Sequence, residues 1–337
     1  MVAGVPDTTT DKTSGPRRGA DLSPFAPGTV SLRLYPHNDL EPSAVVGELC
    51  DQAVLAVEAG FAGIMTSEHH GGFPGYLPNP LQVAGFILES TSLGWAAACP
   101  LLLPLRPTAL VAEEVAWLAA RYPGRVGVGV AAGALPLDFE ALDLSVTTAV
   151  EVFKRELPRL VNMLRGRDLR QLSGDPALRA CAISPVPVLS AAVSPSAARR
   201  AARIGSGILM EGMSPALRLA RLTGAFHEAG GAGAMVLIRR VWLGDLPTDL
   251  VDAQRQVYDS YAGSTAAFGD DQTVTSVDPA ELAAQLDQVV RECGADSLNL
   301  RIHLPGMPPE AVRDQIIRLG SDVLPRLRTL ALSRPWS

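Results

Sequence analysis

Cysteine is scarce in this chain of 337 residues. The four present, Cys50, Cys99, Cys181 and Cys293, are scattered, with no CxxC pair and no second ligand at metal spacing. That pattern gives no support to a disulfide framework or a zinc module and fits reduced thiols. Long apolar runs are missing too: no stretch of about 18 uncharged apolar residues occurs, so no membrane-spanning helix is expected. Basic residues fall short, with 29 Lys and Arg against 35 Asp and Glu and a net charge of -6. A nucleic-acid binder usually shows the opposite excess. The glycine pattern of dinucleotide-binding sheets, the P-loop and the G-x-S-x-G elbow are all absent, which removes the motifs of three large enzyme classes. Residues 1–28 are rich in Pro, Gly, Thr and Asp and lack the apolar core of a signal peptide. A disordered tail and a cytoplasmic location are the expectations.

What remains is a chain that is 47% hydrophobic, with short apolar runs alternating with longer helical stretches. Alternation of that kind predicts βα units around a parallel sheet. Eight strands are expected, over 30–35, 62–67, within 95–103, and over 125–131, 186–192, 208–211, 234–240 and 297–302. Helices are expected over 42–59, 108–120, 145–165, from 194 to just before Gly205, and over 217–228, about 246–268, 278–292 and 310–327. Ser194-Pro195 is a cap followed by proline at the first helical position, and Asp278-Pro279-Ala280-Glu281 resembles a capping box. Gly166 to Pro185 is expected to be irregular and to pass over the barrel mouth. Together these elements predict one α/β domain over 29–332, a (β/α)8 TIM barrel, which routinely spans about 250 residues or more.

Such barrels carry their chemistry at the C-terminal ends of the strands. His37 closes the first strand and Glu68-His69-His70 closes the second, so three of the five histidines fall at one mouth, with His303 at the end of the eighth. Histidine there suits general acid–base work near neutral pH. Adjacent histidines point different ways and no third ligand has metal spacing, so no metal is expected. In the last strand Ser297, Asn299, Arg301 and His303 share one face, a polar interior suited to a polar ligand. Ser194 and Ser196 open a helix at the end of the fifth strand, where they either cap the helix or hold a phosphate.

The segment SEHHGGFPGYLPNPL, followed by LLLP, AEEVAWL and PGRVGVGVAAG, resembles the first half of the bacterial-luciferase-like flavin-dependent monooxygenases. PVLSAAVSPSAARRAARIG and the closing SDVLPRL resemble the second half, so the likeness runs from about residue 30 to 330. The resemblance implies reduced FMN, often delivered by a separate flavin reductase, and oxygen acting on a small or medium organic substrate. It puts the catalytic base on His69, with His70 and Glu68 as its supporting neighbours and His37 as a further candidate. It implies a cis peptide at Cys99-Pro100 and a cofactor phosphate at Ser194 and Ser196. The family carries an arginine soon after the fourth strand, where this chain has Ala131 and Ala132; Lys154, Arg155, Arg239 and Arg240 are possible replacements. This departure leaves open the family branch that uses a deazaflavin, and a relative without flavin. The resemblance also implies a homodimer paired beside strands two and three, with Trp95, Leu110 and Trp117 as candidate contacts.

Overall fold

A computed structural model describes residues 23–73, 75–261 and 272–332. The strands are β1 (Val30–Arg33), β2 (Gly63–Thr66), β3 (Trp95–Leu102), β4 (Val126–Ala131), β5 (Val188–Ala191), β6 (Gly207–Met210), β7 (Met235–Leu243), β8 (Val274–Ser276) and β9 (Ser297–Arg301). All neighbours pair in parallel in the order β6-β5-β4-β3-β2-β1-β9-β7, and β6 also pairs with β7, so eight strands close into a barrel. β8 is an addition that, among the described residues, pairs with the far end of β7 alone, through Val241 to Leu243.

The helices are α1 (Pro42–Glu58), α2 (Pro80–Ser90), α3 (Thr108–Arg121), α4 (Pro136–Glu140), α5 (Ala149–Met163), α6 (Pro176–Ala180), α7 (Pro195–Ile204), α8 (Ala216–Glu228), α9 (Thr248–Tyr261), α10 (Pro279–Cys293), α11 (Pro309–Arg318) and α12 (Leu324–Leu332). Their starts follow from local chemistry. Asn79, Asp175 and Ser194 each accept a backbone N–H of the first turn, and proline stands in the first turn of the helix that follows. The capping of α10 differs from a simple box: Asp278 accepts from Ala280, while Glu281 accepts from Ser276 Oγ. α2, α4 and α6 are additions to the expected set. The stretch expected over 246–268 is helical to Tyr261 and otherwise lies outside the described residues. The segment before β5 does not cross the mouth. It packs on the outer flank, where α6 meets α3 and Trp117 Nε1 donates to Asp175 at 3.0 Å.

Inside the barrel the lower end is apolar: Phe25, Met65, Trp95, Ala97, Cys99, Leu189, Leu209 and Val236 fill it. Phe25 stands edge-on to Trp95 with ring centroids 5.1 Å apart. Gly63 and Gly127 make room for these rings, since a Cβ there would lie 2.1 Å from Trp95 and 2.6 Å from Phe25. Residues 23–28 are thus part of the barrel, not of the tail expected from composition. Trp95 is buried in the interior as well, which removes it from the expected dimer contacts.

Between β1 and β9 the interior turns polar. Arg33 Nε donates to Asn299 Oδ1 at 2.8 Å, Asn299 Nδ2 to Ser31 Oγ at 2.9 Å, and Ser31 Oγ to the Leu298 carbonyl at 3.1 Å. Just beyond β1, His37 Nδ1 lies 3.1 Å from the Met307 carbonyl and its Nε2 lies 2.8 Å from Gln52 Nε2. A carbonyl can only accept and an amide nitrogen can only donate, so His37 carries its proton on Nδ1 and is neutral. The ring of His303 sits 4.3 Å away. Burial lowers the pKa of both, helped at His303 by His37 and Arg301, which take it down to about 3. Both His37 nitrogens are thus occupied at the barrel seam, by partners separate from those of the Glu68-His69-His70 segment.

Two outcomes follow. Phe25→Ala should cost about 3–5 kcal/mol, the usual size for emptying a buried phenylalanine site; denaturant melts that leave stability unchanged would place Phe25 outside the core. The two histidines bind protons in the unfolded chain near pH 6.5 but resist them when folded. Their contribution is therefore complete above about pH 6.5 and lost as the pH falls toward 3. Thermal midpoints should drop over that window, and His303→Gln should flatten the slope. An identical slope in the variant would show that other groups set the acid limit.

Candidate active site at the C-terminal mouth

β2 ends by delivering Glu68, His69 and His70 to the mouth, and two buried carboxylates split the histidines apart. Glu68 Oε1 lies 2.9 Å from His70 Nε2 and also pairs with Arg106 Nη2, while Oε2 accepts from the Leu102 amide at 2.5 Å. The Glu68 amide in turn donates to the Pro100 carbonyl at 3.1 Å. Glu68 therefore ties β2 to the turn after β3 and holds His70 to one side. A buried carboxylate is stable only when paired and hydrogen-bonded in this way.

His69 is turned the other way. Its Nδ1 lies 2.8 Å from Asp138 Oδ2, and Asp138 Oδ1 accepts the His70 amide at 2.7 Å. Asp138 is fully buried. It stands on α4, whose Phe139 packs with Leu102 and Leu105. Gly71 permits the close approach of α4: its φ is +66° and a Cβ would lie 2.7 Å from Leu137 Cγ. The carboxylate selects the tautomer with a proton on Nδ1 and leaves Nε2 as an acceptor. The imidazole is one-fifth exposed and is framed by Tyr76 at 4.4 Å and Phe73 at 4.9 Å between centroids. The arrangement leaves His69 Nε2 as an oriented hydrogen-bond acceptor, the geometry that general-base chemistry requires.

Beside it, the Cys99-Pro100 bond is cis, as expected. Cys99 points into the barrel; burial pushes its thiol up to about 12, with Arg33 pulling the other way. It is a neutral thiol rather than a nucleophile. Ser67 Oγ, above Met65 on the inward row of β2, is buried without a partner among the described residues. Across the mouth Ser194 Oγ caps α7 by accepting from Ala197 at 3.3 Å and lies 3.0 Å from Ser196 Oγ. Ala131 and Ala132 are half-buried at the end of β4.

Several replacement candidates for the missing arginine are elsewhere. Lys154 pairs with Glu151 and Arg155 with Glu156 on the outer helix α5. Arg239 alternates with Arg240 and faces outward, where it donates to the carbonyls of Gly212, Gln272 and Ser214; it is not at the cofactor site the sequence suggested. Asp138 and Arg106 escaped the sequence reading. Asp138 lies 69 residues from His69, and its one signal is a position shortly after a strand end, behind Pro136. A separate cavity of about 140 Å³ lies at the N-terminal end of the strands, lined by Thr29, Asp296 and Arg328 among others. That end of such barrels serves stability, so it is not the candidate active site.

At 26% identity over 326 residues, the chain is similar to an F420-dependent glucose-6-phosphate dehydrogenase of Nakamurella multipartita, covering 84% of this chain and 93% of that protein. The fold is shared with monooxygenase RslO1 from Streptomyces bottropensis, with a TM-score of 0.72, 19% identity and coverage of 88% and 99%. It is also shared with the oxygenating constituent of 3,6-diketocamphane monooxygenase from Pseudomonas putida in complex with FMN, with a TM-score of 0.67, 14% identity and coverage of 89% and 99%. The family model described as luciferase-like monooxygenase matches residues 25–318, and the chain belongs to that family.

Proposed function

We propose that this chain is a flavin-dependent monooxygenase that uses reduced FMN and oxygen on a small or medium organic substrate. The observation that carries the reading is the His69–Asp138 pair, which leaves an oriented Nε2 acceptor at the barrel mouth. Reduced FMN, when bound, would supply the electrons that activate oxygen.

The residues present fit such a group. The orphaned Ser67 hydroxyl offers a hydrogen bond on the inward wall. The N-terminus of α7, with two serine hydroxyls, suits a phosphate. Arg200 lies one turn beyond Ser196 on the same face of α7, and its buried Nε has no partner among the described residues. Side chains on a helix tilt toward its N-terminus, so Arg200 is the candidate for the charge that Ala132 does not supply. His69 would take a proton from substrate, Asp138 would hold the resulting imidazolium, and His70 with Glu68 would keep the loop in place.

A second reading, a deazaflavin-dependent oxidoreductase, is favoured by the named activity of the Nakamurella relative and by Ala132. Titrating the protein with FMN and with the deazaflavin, followed by oxygen uptake on the reduced complex, separates the two. Binding of neither would sink both. Within either chemistry, His69→Ala should lower turnover by roughly 10²–10⁴-fold while cofactor affinity holds, and Asp138→Asn should act in the same direction. Wild-type coupling of cofactor oxidation to product in His69→Ala would reassign the base.

The chain also presents Phe86, Leu93, Leu110 and Trp117 as exposed apolar side chains on and beside α2 and α3. We propose a homodimer through this face. Sedimentation at micromolar concentration should give twice 35.4 kDa, and Leu110→Glu should reduce it to one copy; a wild-type monomer would count against the interface.

A further inference from the structure

The cavity at the N-terminal end of the strands lies under the starts of β1, β2 and β9, with α10 and α12 as its outer wall. Its volume of about 140 Å³ has room for on the order of ten waters, so it can admit a small organic molecule. Much of its surface is apolar. Leu298, Leu324 and Leu327 are buried, and Val290 packs against the same core.

Two charges stand at different sides of this surface. Asp296, half-buried just before β9, accepts the Met235 amide at 2.8 Å through Oδ2, and its Oδ1 has no partner among the described residues. Burial raises its pKa, against the Met235 amide and His227. Arg328, on α12, donates to the Gly60 carbonyl at 2.6 Å and pairs with no carboxylate among the described residues. Asp287 lines the cavity too, but Arg291 Nε lies 3.1 Å from it and answers its charge. Gly60 precedes β2 and Asp296 precedes β9, with β1 between them. The anchor points of the two charges are thus two strand spacings apart, roughly 9–10 Å. A desolvated carboxylate gains from a cation that arrives, and a guanidinium has spare donors for an anion.

We propose that this cavity binds a small zwitterion, an α-amino acid with an apolar side chain. Its ammonium group bonds Asp296 Oδ1, its carboxylate bonds Arg328, and its side chain lies on Leu298, Leu324 and Leu327. Two charge-assisted hydrogen bonds of about 2.8 Å each, added to the short separation of the two groups on one α-carbon, cover the span between the charges. A simple amine meets the repulsion of Arg328, and a simple acid that of Asp296. His69 stands at the other end of the barrel, so the two sites are separate.

Calorimetric titration of the full chain with L-valine tests the site, beside isobutylamine and isovalerate, which keep the side chain and one charge each. Valine should bind, and each half-molecule should bind at least about tenfold more weakly, the low end for loss of a charge-assisted hydrogen bond. Arg328→Gln, at an exposed position, and Asp296→Asn, which keeps an acceptor for the Met235 amide, should each weaken valine to a similar degree. His69→Ala should bind valine as the wild type does. Valine should also raise the thermal midpoint, because it binds the folded chain, and melts without ligand show that each variant is folded. No heat and no midpoint shift at millimolar valine would mean that the cavity holds water alone, and would overturn the proposal. So would a half-molecule that binds as well as valine, or unchanged affinity in either charge variant. Loss of binding in His69→Ala would move the ligand to the mouth and overturn it as well.

Discussion

Closing eight parallel strands leaves an interior that only side chains from alternate positions can fill, and the arrangement at the mouth depends on how that space is divided. Small residues on one arc, Gly63, Ala97, Gly127 and Gly129, give their share of the volume to large ones. At the lower end that volume goes to Trp95 and Phe25. Beside them it goes to Cys99, which a Cβ on Gly129 would approach to 2.1 Å. An apolar base of this kind stiffens the strands, so that the polar residues above it are set on rigid supports rather than on loops alone.

The mouth then uses two carboxylates to make two adjacent histidines unequal. Identical side chains at consecutive positions have no intrinsic reason to differ in role. The difference comes from partners: Glu68 binds His70 at its Nε2, whereas Asp138 binds His69 at its Nδ1. One histidine is thereby consumed in holding the turn after β3, and the other keeps Nε2 open. His37 and His303 are set apart in the same way: burial lowers the pKa of both, and His37 is held between Met307 and Gln52.

The barrel was legible because strand and helix periods repeat eight times, so a missed helix such as α2 did not alter the topology. The EHH triplet was legible as a group of titratable residues just past a strand, and the structure places it at the C-terminal end of β2. Asp138 was not legible. Its helix has five residues, too short for periodicity, and its partner is 69 residues away. Arg239 and Arg240 show the cost of ignoring alternation: neighbours on one strand face opposite sides, so only Arg240 continues the inward row of Ile238. Phe25 was assigned to a tail because its surroundings are rich in proline and glycine, and composition says nothing about a single aromatic anchor.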